Sequence, residues 1–449
     1  MRASLCSLGL VALFGLSASA CSWSRFDDVT GDSPIVLLSK PGSMKDGFGV
    51  SLATATKDGQ SEVLVGGALS VSGAARYDVG DSDSPGTTSV DSGYCTGGKA
   101  ACFLSSSLAG FANAAGPDQI RPLCFAVGTG TVTAPGIIVR CQDASEYNLD
   151  VPAAARKLLT FSLEQNQPYD YPMATDRTDN PVLLATLPYN HTAWFYPSKS
   201  IHLSELSVPK SLSDDPTFGS ALTVLPVGSG RVFAIGVPGK SEVLLWRADS
   251  ATAADSTFIG CLGGTPGFGR ALVSGNVNAD ADADLVVSDN TNVHVIDGRA
   301  LFELPATTSL ECGFSSLPAG ALLNSFGCGS SSNLSGCADS EFGAAVAVGD
   351  LDGDGDGEVI VGAPKMTVRG ETSAGALLVY DAESPSDVNF VDAKFMSSAE
   401  AGDLLGSSIV TPHIGKRDII ASGAPGNGKV ALFYCTKLLS GGAAGSRCP

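Results

Sequence analysis

Basic residues are scarce. The chain carries 27 Lys and Arg against 46 Asp and Glu, a formal net charge of −19. It therefore lacks the basic face that phosphate binding needs, which argues against nucleic acid as a partner. Histidine is scarcer still: His191, His202, His294 and His413 are the four, and they are scattered. No C-x-x-C pair accompanies them, so zinc has no ligand framework to occupy. No G-x-S-x-G, H-E-x-x-H or Walker motif occurs either, and with so few His any acid–base chemistry would fall to carboxylates. Long helical periods with caps are also missing. Aromatic residues make up 7% and charged residues 16% of the chain. What is abundant is Gly (54), Pro (24) and short apolar runs within 449 residues. That is the composition of a turn-rich all-β protein, long enough to build one large domain.

The N-terminus reads MRASLCSLGLVALFGLSASAC. Arg2 supplies the positive end, Leu5 to Leu16 the apolar run, and Ala18-Ser19-Ala20 a small-residue cleavage site. This is the pattern of a secretory signal; the apolar run is short for a membrane span. Cys21 follows directly, which resembles the lipobox of bacterial lipoproteins, with Ala18 where that family usually has Leu. The resemblance implies a lipid on Cys21 and a membrane anchor, with the protein at the outer membrane or cell surface. Ordinary cleavage with Cys21 as a bystander is the other reading. Parity favours lipid. Of 12 Cys, Cys6 leaves with the signal; with Cys21 acylated, an even ten remain to pair in an oxidising compartment. Neighbour pairing gives 95–102, 124–141, 261–312, 328–337 and 435–448.

Self-similarity organises the rest. The stretch 341-EFGAAVAVGDLDGDGDGEVIVGAP-364 runs from Phe-Gly through small residues and an acidic loop to an aliphatic run and Gly-Ala-Pro. The same order recurs, wholly or in part, at GFGVSL (47), TFGSAL (217), GFGRAL (267) and LLGSSI (404), each followed by a further apolar run. The glycines of these turns are Gly49, Gly219, Gly269, Gly343 and Gly406. The long interval between the first two leaves room for two degenerate units, read at 121–143 and 181–200. Each unit is a small antiparallel sheet of runs rich in Val, Ile, Leu and Ala. Such a sheet cannot bury both faces alone, and a radial ring lets each cover the next. Phe48, Phe218, Phe268 and Phe342 are then expected between neighbouring sheets. Ala344, Ala345 and Ala347 are expected on a strand crowded near the axis.

These residues resemble the FG-GAP repeat, the unit of the integrin α-chain N-terminal propeller. The resemblance implies an all-β, seven-bladed β-propeller of four-stranded antiparallel blades over 34–439. It is preceded by a signal peptide at 1–20 and a tether at 21–33, and followed by a tail at 440–449. The resemblance also implies calcium between the first and second strands of some units. In one loop Asp350, Asp352, Asp354 and Glu358 stand at positions 1, 3, 5 and 9, with Asp356 at position 7 offering a main-chain carbonyl. An EF-hand would need its bidentate Glu at position 12, where this chain has Val361. A second loop sets Asn276, Asn278, Asp280, Asp282 and Asp284 at the same spacing; with fewer side-chain carboxylates it is expected to bind more weakly. A third, with Asp58 and Glu62, keeps two acidic positions and is read as metal-free. The bland reading of any such loop is a solvated turn.

Calcium enclosed by protein oxygens has no open position for substrate, so these ions are read as structural. The expected role is a non-enzymatic, surface-anchored scaffold that binds a protein or glycan, with recognition in loop insertions at 70–117 and 301–340 and on the face opposite the metal loops. An envelope-complex assembly subunit is the alternative. An enzyme with its site in the propeller loops, a hydrolase or lyase, is the third.

Overall fold

The computed structural model describes the chain between residues 35 and 434. The stretches 1–34, 40–46, 67–73, 80–86, 92–102, 105–123, 152–171, 209–214, 329–336 and 435–449, with shorter gaps, lie outside it. The signal, Cys21, the tether, the tail and the pairings 95–102 and 435–448 therefore fall outside the described residues.

Alternating apolar runs broken by Gly, Pro and Asp form short strands, and the strands form antiparallel sheets in sequence order. The first sheet is Ser51–Lys57, Gln60–Gly66, Ala74–Val79 and Thr87–Asp91. The second is Phe103–Leu104, Cys124–Thr131, Ala134–Cys141 and Glu146–Leu149, and the third is Met173–Thr175, Leu183–Leu187, Thr192–Tyr196 and Ser204–Leu206. The fourth runs from Leu222–Val227 to Thr257–Gly263, the fifth from Ala271–Gly275 to Leu322–Gly327, and the sixth from Val346–Gly349 to Asp387–Lys394. The seventh joins the two ends of the described chain: Ile35–Ser39 pairs with Lys429–Phe433, which pairs with Ile420–Ala424 and then Ser408–Val410. Both degenerate units expected at 121–143 and 181–200 thus fold as four-stranded sheets. The arrangement is a β-propeller.

The two stretches expected as loop insertions hold strands where they are described. The stretch 70–117 supplies the third and fourth strands of the first sheet and the first strand of the second. The stretch 301–340 supplies the outermost strand of the fifth sheet, Leu322–Gly327.

Aromatic side chains lock neighbouring sheets together. Phe218 packs between the third and fourth sheets, Phe268 between the fourth and fifth, Phe342 between the fifth and sixth, and Phe48 between the seventh and first. All four are buried. Each begins a tight turn whose glycine has positive φ: Gly49 (90°), Gly219 (71°), Gly269 (87°) and Gly343 (82°); Leu405 takes the same place before Gly406 (93°). That conformation favours glycine. Each of these turns also presses its carbonyl against the second strand of the preceding sheet. There it meets either a glycine or a hydroxyl donor. Gly236, Gly362 and Gly423 leave room for the carbonyls of Gly269, Gly406 and Gly49. Thr186 and Ser288 donate to the carbonyls of Gly219 and Gly343, at 2.9 and 2.8 Å. The Gly423–Gly49 contact is the same junction made across the two ends of the chain.

Three residues after each such glycine stands a large aliphatic residue: Leu52, Leu222, Leu272, Val346 and Ile409. With Met173 they border both halves of the central channel, one cavity of about 690 Å³ toward the Phe-Gly turns and one of about 610 Å³ toward the acidic loops. Ala344 and Ala345 line the former. Ala347 instead packs between the sixth and seventh sheets.

Disulfides join Cys261 to Cys312 and Cys328 to Cys337, two of the neighbour pairs expected. Cys124 stands opposite Cys141 in the strand register. Disulfides fit an oxidising compartment. Among the described residues no helix is long and apolar enough to cross a membrane.

Candidate metal loops

Each acidic loop connects the innermost strand of a sheet to the second: 276–283 in the fifth sheet, 350–357 in the sixth. Both open at the same mouth of the channel, where Asn276, Asp282, Asp350 and Asp356 line the 610 Å³ cavity. The short strands hold the loop ends in register, Gly275 opposite Asp284 and Gly349 opposite Glu358.

The two loops share one hydrogen-bond pattern. At position 2, the N–H of Leu351 donates to Glu358 Oε2 at 2.7 Å and that of Val277 to Asp284 Oδ2 at 3.0 Å. At position 5, Asp354 N–H donates to Asp352 Oδ1 at 3.2 Å and Asp280 N–H to Asn278 Oδ1 at 3.1 Å. At position 7, Asp356 N–H donates to Asp354 Oδ1 at 3.3 Å and Asp282 N–H to Asp280 Oδ1 at 2.7 Å. The alternation that reads as a calcium loop in sequence thus becomes a ladder of side-chain turns in the fold. Gly353 and Gly355 have φ of 85° and 105°, and their N–H groups donate to Asp350 at 2.6 and 3.2 Å. In the second loop Ala279 takes the strained position instead, with φ of 57°.

The first loop brings three carboxylates together. One oxygen from each of Asp350, Asp352 and Asp354 lies within 4.8 Å of the others. Like charges at such a distance repel by about 1 kcal/mol per pair in water and about 4 at the effective dielectric of a protein surface. The loop's acid strengths record this conflict. Burial, with repulsion from Asp352 and Asp354, pushes Glu358 up to about 8 against the bond from Leu351. Asp352 is raised by burial and by Asp354, while Asp354 is lowered, chiefly by its bond with Asp356. Burial likewise pushes Asp284 up to about 7, opposed by the N–H groups of Val277 and Gly298.

The structure separates the expected ligands. Glu358 is buried behind the three-carboxylate group and is not part of it. Asp282 turns its carboxylate to Arg299, at 2.7 Å, and to the N–H of Gly228, at 2.7 Å. Asn276 donates through Nδ2 to Asp280 O at 2.6 Å, and its Oδ1 is buried with no hydrogen-bond partner. The donors are carboxylates, amide oxygens and main-chain carbonyls, with neither His nor Cys in either loop. That set suits a hard cation such as Ca²⁺ and not a thiolate- or imidazole-seeking metal. The orphaned Asn276 oxygen and the crowded carboxylates both fit it. In the third loop Glu62 faces Arg76, Nε to Oε2 3.2 Å, and Asp58 lies outside the described residues.

Sequence reasoning missed Asp418. In the seventh sheet the loop position is taken by a hairpin, His413–Ile414 with Arg417–Asp418. Asp418 Oδ2 accepts from Asp350 N–H at 3.1 Å, its own N–H donates to Asp350 O at 2.6 Å, and Oδ1 meets His413 Nδ1 at 2.9 Å. On the other side, Gly357 packs against the main chain of Asn276. The first loop is therefore wedged between the second loop and this hairpin. Its alternation alone gave no sign of neighbours so far away in sequence.

Fold and loops together define a β-propeller with acidic strand-to-strand loops at one mouth of its channel. Residues 342–380, the unit that carries the first loop, match the FG-GAP repeat family. No curated protein matches the chain. Among solved structures, the selenomethionine-substituted virginiamycin B lyase from Staphylococcus aureus is similar at 9% identity and a TM-score of 0.48, covering 90% of this chain and 99% of that one. A catalytically inactive variant of that lyase with Quinupristin is similar at 10% identity and a TM-score of 0.46, with the same coverage.

Proposed function

We propose that the chain is a seven-bladed propeller stiffened by structural calcium, anchored to a membrane by lipid on Cys21, and used as a scaffold that binds a protein or glycan. The seven four-stranded sheets and the Gly423–Gly49 junction support the blade count. The observation that carries the calcium reading is the approach of Asp350, Asp352 and Asp354 at the head of a strand. Those three hold the ion, with Glu358 behind them. In the weaker second site Asn276, Asn278, Asp280 and Asp284 do so. When bound, the cation cancels the repulsion among the carboxylates. The side-chain turns then hold the loop closed against the second loop and the hairpin at Asp418.

This reading assigns calcium no part in chemistry and leaves recognition to the loops and the channel. Rigid elements that present loops are the usual basis of binding scaffolds. An envelope-assembly subunit remains the alternative, and depletion of the protein with a census of other surface proteins separates the two. The calcium reading is tested with Asp350→Ala plus Asp354→Ala, which should melt at the temperature of chelated wild type and be indifferent to added calcium. A double variant that still responds fully to calcium removes this loop from the account. For the anchor, Cys21→Ala is expected to move the protein from the membrane to the soluble fraction. A variant that still sediments with membranes contradicts lipidation.

A further inference from the structure

A second cluster of chemically able side chains lies in the fifth sheet, away from the acidic loops. His294 sits on the third strand and Ser325 opposite it on the outermost strand, paired in register. Ser325 Oγ is 3.0 Å from His294 Nδ1. On the other side of the ring, His294 Nε2 is 3.2 Å from Asp289 Oδ2. Exposure falls from the serine inward: Ser325 is exposed, His294 nearly buried, and Asp289 wholly buried. The chain therefore offers a hydroxyl to solvent, a base behind it, and a carboxylate behind the base.

The hydrogen bonds fix the direction of the proton. Asp289 Oδ1 accepts from the N–H groups of Thr291 and Asn292, both at 2.6 Å, and from the Thr291 hydroxyl at 3.1 Å. Oδ2 accepts from the Thr265 hydroxyl. Burial alone would raise its pKa, but the bonds from His294, Thr265 and the two N–H groups outweigh it and hold the carboxyl well below the usual carboxylate range. An ionised carboxylate only accepts, so His294 Nε2 carries the proton that faces it. In the neutral imidazole Nδ1 is then a lone pair, and it faces the Ser325 hydroxyl. Phe268, the aromatic that opens this unit, lies edge-on to the imidazole with ring centroids 5.5 Å apart. The Cys328–Cys337 disulfide begins three residues after Ser325 and ties down the end of its strand.

We propose that Ser325 is an activated nucleophile, with His294 as its general base and Asp289 as the positioning residue, and that it takes acyl groups from activated carboxylic esters. In this step the Ser325 oxygen bonds to the carbonyl carbon as its proton passes to His294 Nδ1. The ester's C–O bond breaks, and the departing alcohol oxygen takes that proton. Water then repeats the transfer in reverse roles, releasing the acid and restoring the serine. The imidazolium formed midway is held between Ser325 and the Asp289 carboxylate. A positioned base contributes about 10²–10⁴-fold, so turnover of activated esters is expected to be modest. The site is independent of the calcium loops and goes beyond the binding role.

The test is labelling of the purified protein with a fluorophosphonate–biotin probe, followed by mass spectrometry of the modified peptide. The expected result is one label, on Ser325, formed at least tenfold more slowly in His294→Gln and absent in Ser325→Ala. Ser325 is on the surface, so its alanine variant should melt as wild type does. Because wild type is itself the primary measurement, a misfolded His294 variant does not weaken the test. If wild type takes no label at Ser325 while a serine hydrolase control is fully modified, the proposal is overturned, and the three groups merely tie two strands together. Equal labelling rates in wild type and a folded His294→Gln overturn the role of the base.

Discussion

At Glu62 sequence and surroundings pull against each other. It stands at a position that an acidic loop would use, yet it is buried beside Arg76. Burial pushes it up to about 7 from 4.5, and Arg76 lowers it by less than burial raises it. A carboxyl whose folded pKa is raised stabilises the fold below pH 4.5, and that contribution is lost as pH rises through about 7. The full loss is about 3 kcal/mol. Glu62→Gln is therefore expected to gain melting temperature relative to wild type as pH goes from 5 to 8. Melts of both proteins across that range check it; a difference that stays constant or moves the other way contradicts the account. At this scale the sequence was informative about Asp350, Asp352 and Asp354, because period-two alternation on a tight turn points side chains to one place. It was silent on Asp418, Asp289 and Ser325, whose partners are set by strand register and blade packing rather than by spacing.

The elements repeat one junction. The Phe-Gly turn of one sheet inserts its carbonyl into a notch on the second strand of the sheet before it. A Cβ added at Gly362 would come within 2.1 Å of the Gly406 carbonyl oxygen. Gly362→Ala must push the seventh sheet away from the sixth, a cost of about 1–3 kcal/mol, readable as a lower denaturant midpoint. An unchanged midpoint would mean that the junction yields freely. Phe-Gly and Gly-Ala-Pro were legible as a repeat because both halves of this junction are conformationally demanding. The second and third sheets were legible only through their central strands. Their flanking strands, Phe103–Leu104, Glu146–Leu149, Met173–Thr175 and Ser204–Leu206, have two to four residues, too few for a period to appear. In the third sheet Thr186 fills the notch with a hydroxyl, so the glycine signal vanishes while the contact persists.

At the scale of the whole molecule, the ring is closed by the sheet that joins Ile35–Ser39 to Lys429–Phe433. The first acidic loop leans, through Asp350 and Asp418, on the hairpin that joins two strands of that sheet. Calcium at that loop would therefore bear on closure of the ring, not just on one hairpin. An ion that binds only the folded state adds about 2.7 kcal/mol when present at a hundred times its dissociation constant, which for a chain of this size raises the melting temperature by several degrees. The most direct measurement is a thermal melt of residues 22–449 with calcium and with chelator, beside elemental analysis of the purified protein. The account predicts bound calcium and a melt that rises by several degrees with the ion and falls on chelation. A melt indifferent to both, with no metal in the protein, would contradict it and reduce the acidic loops to solvated turns.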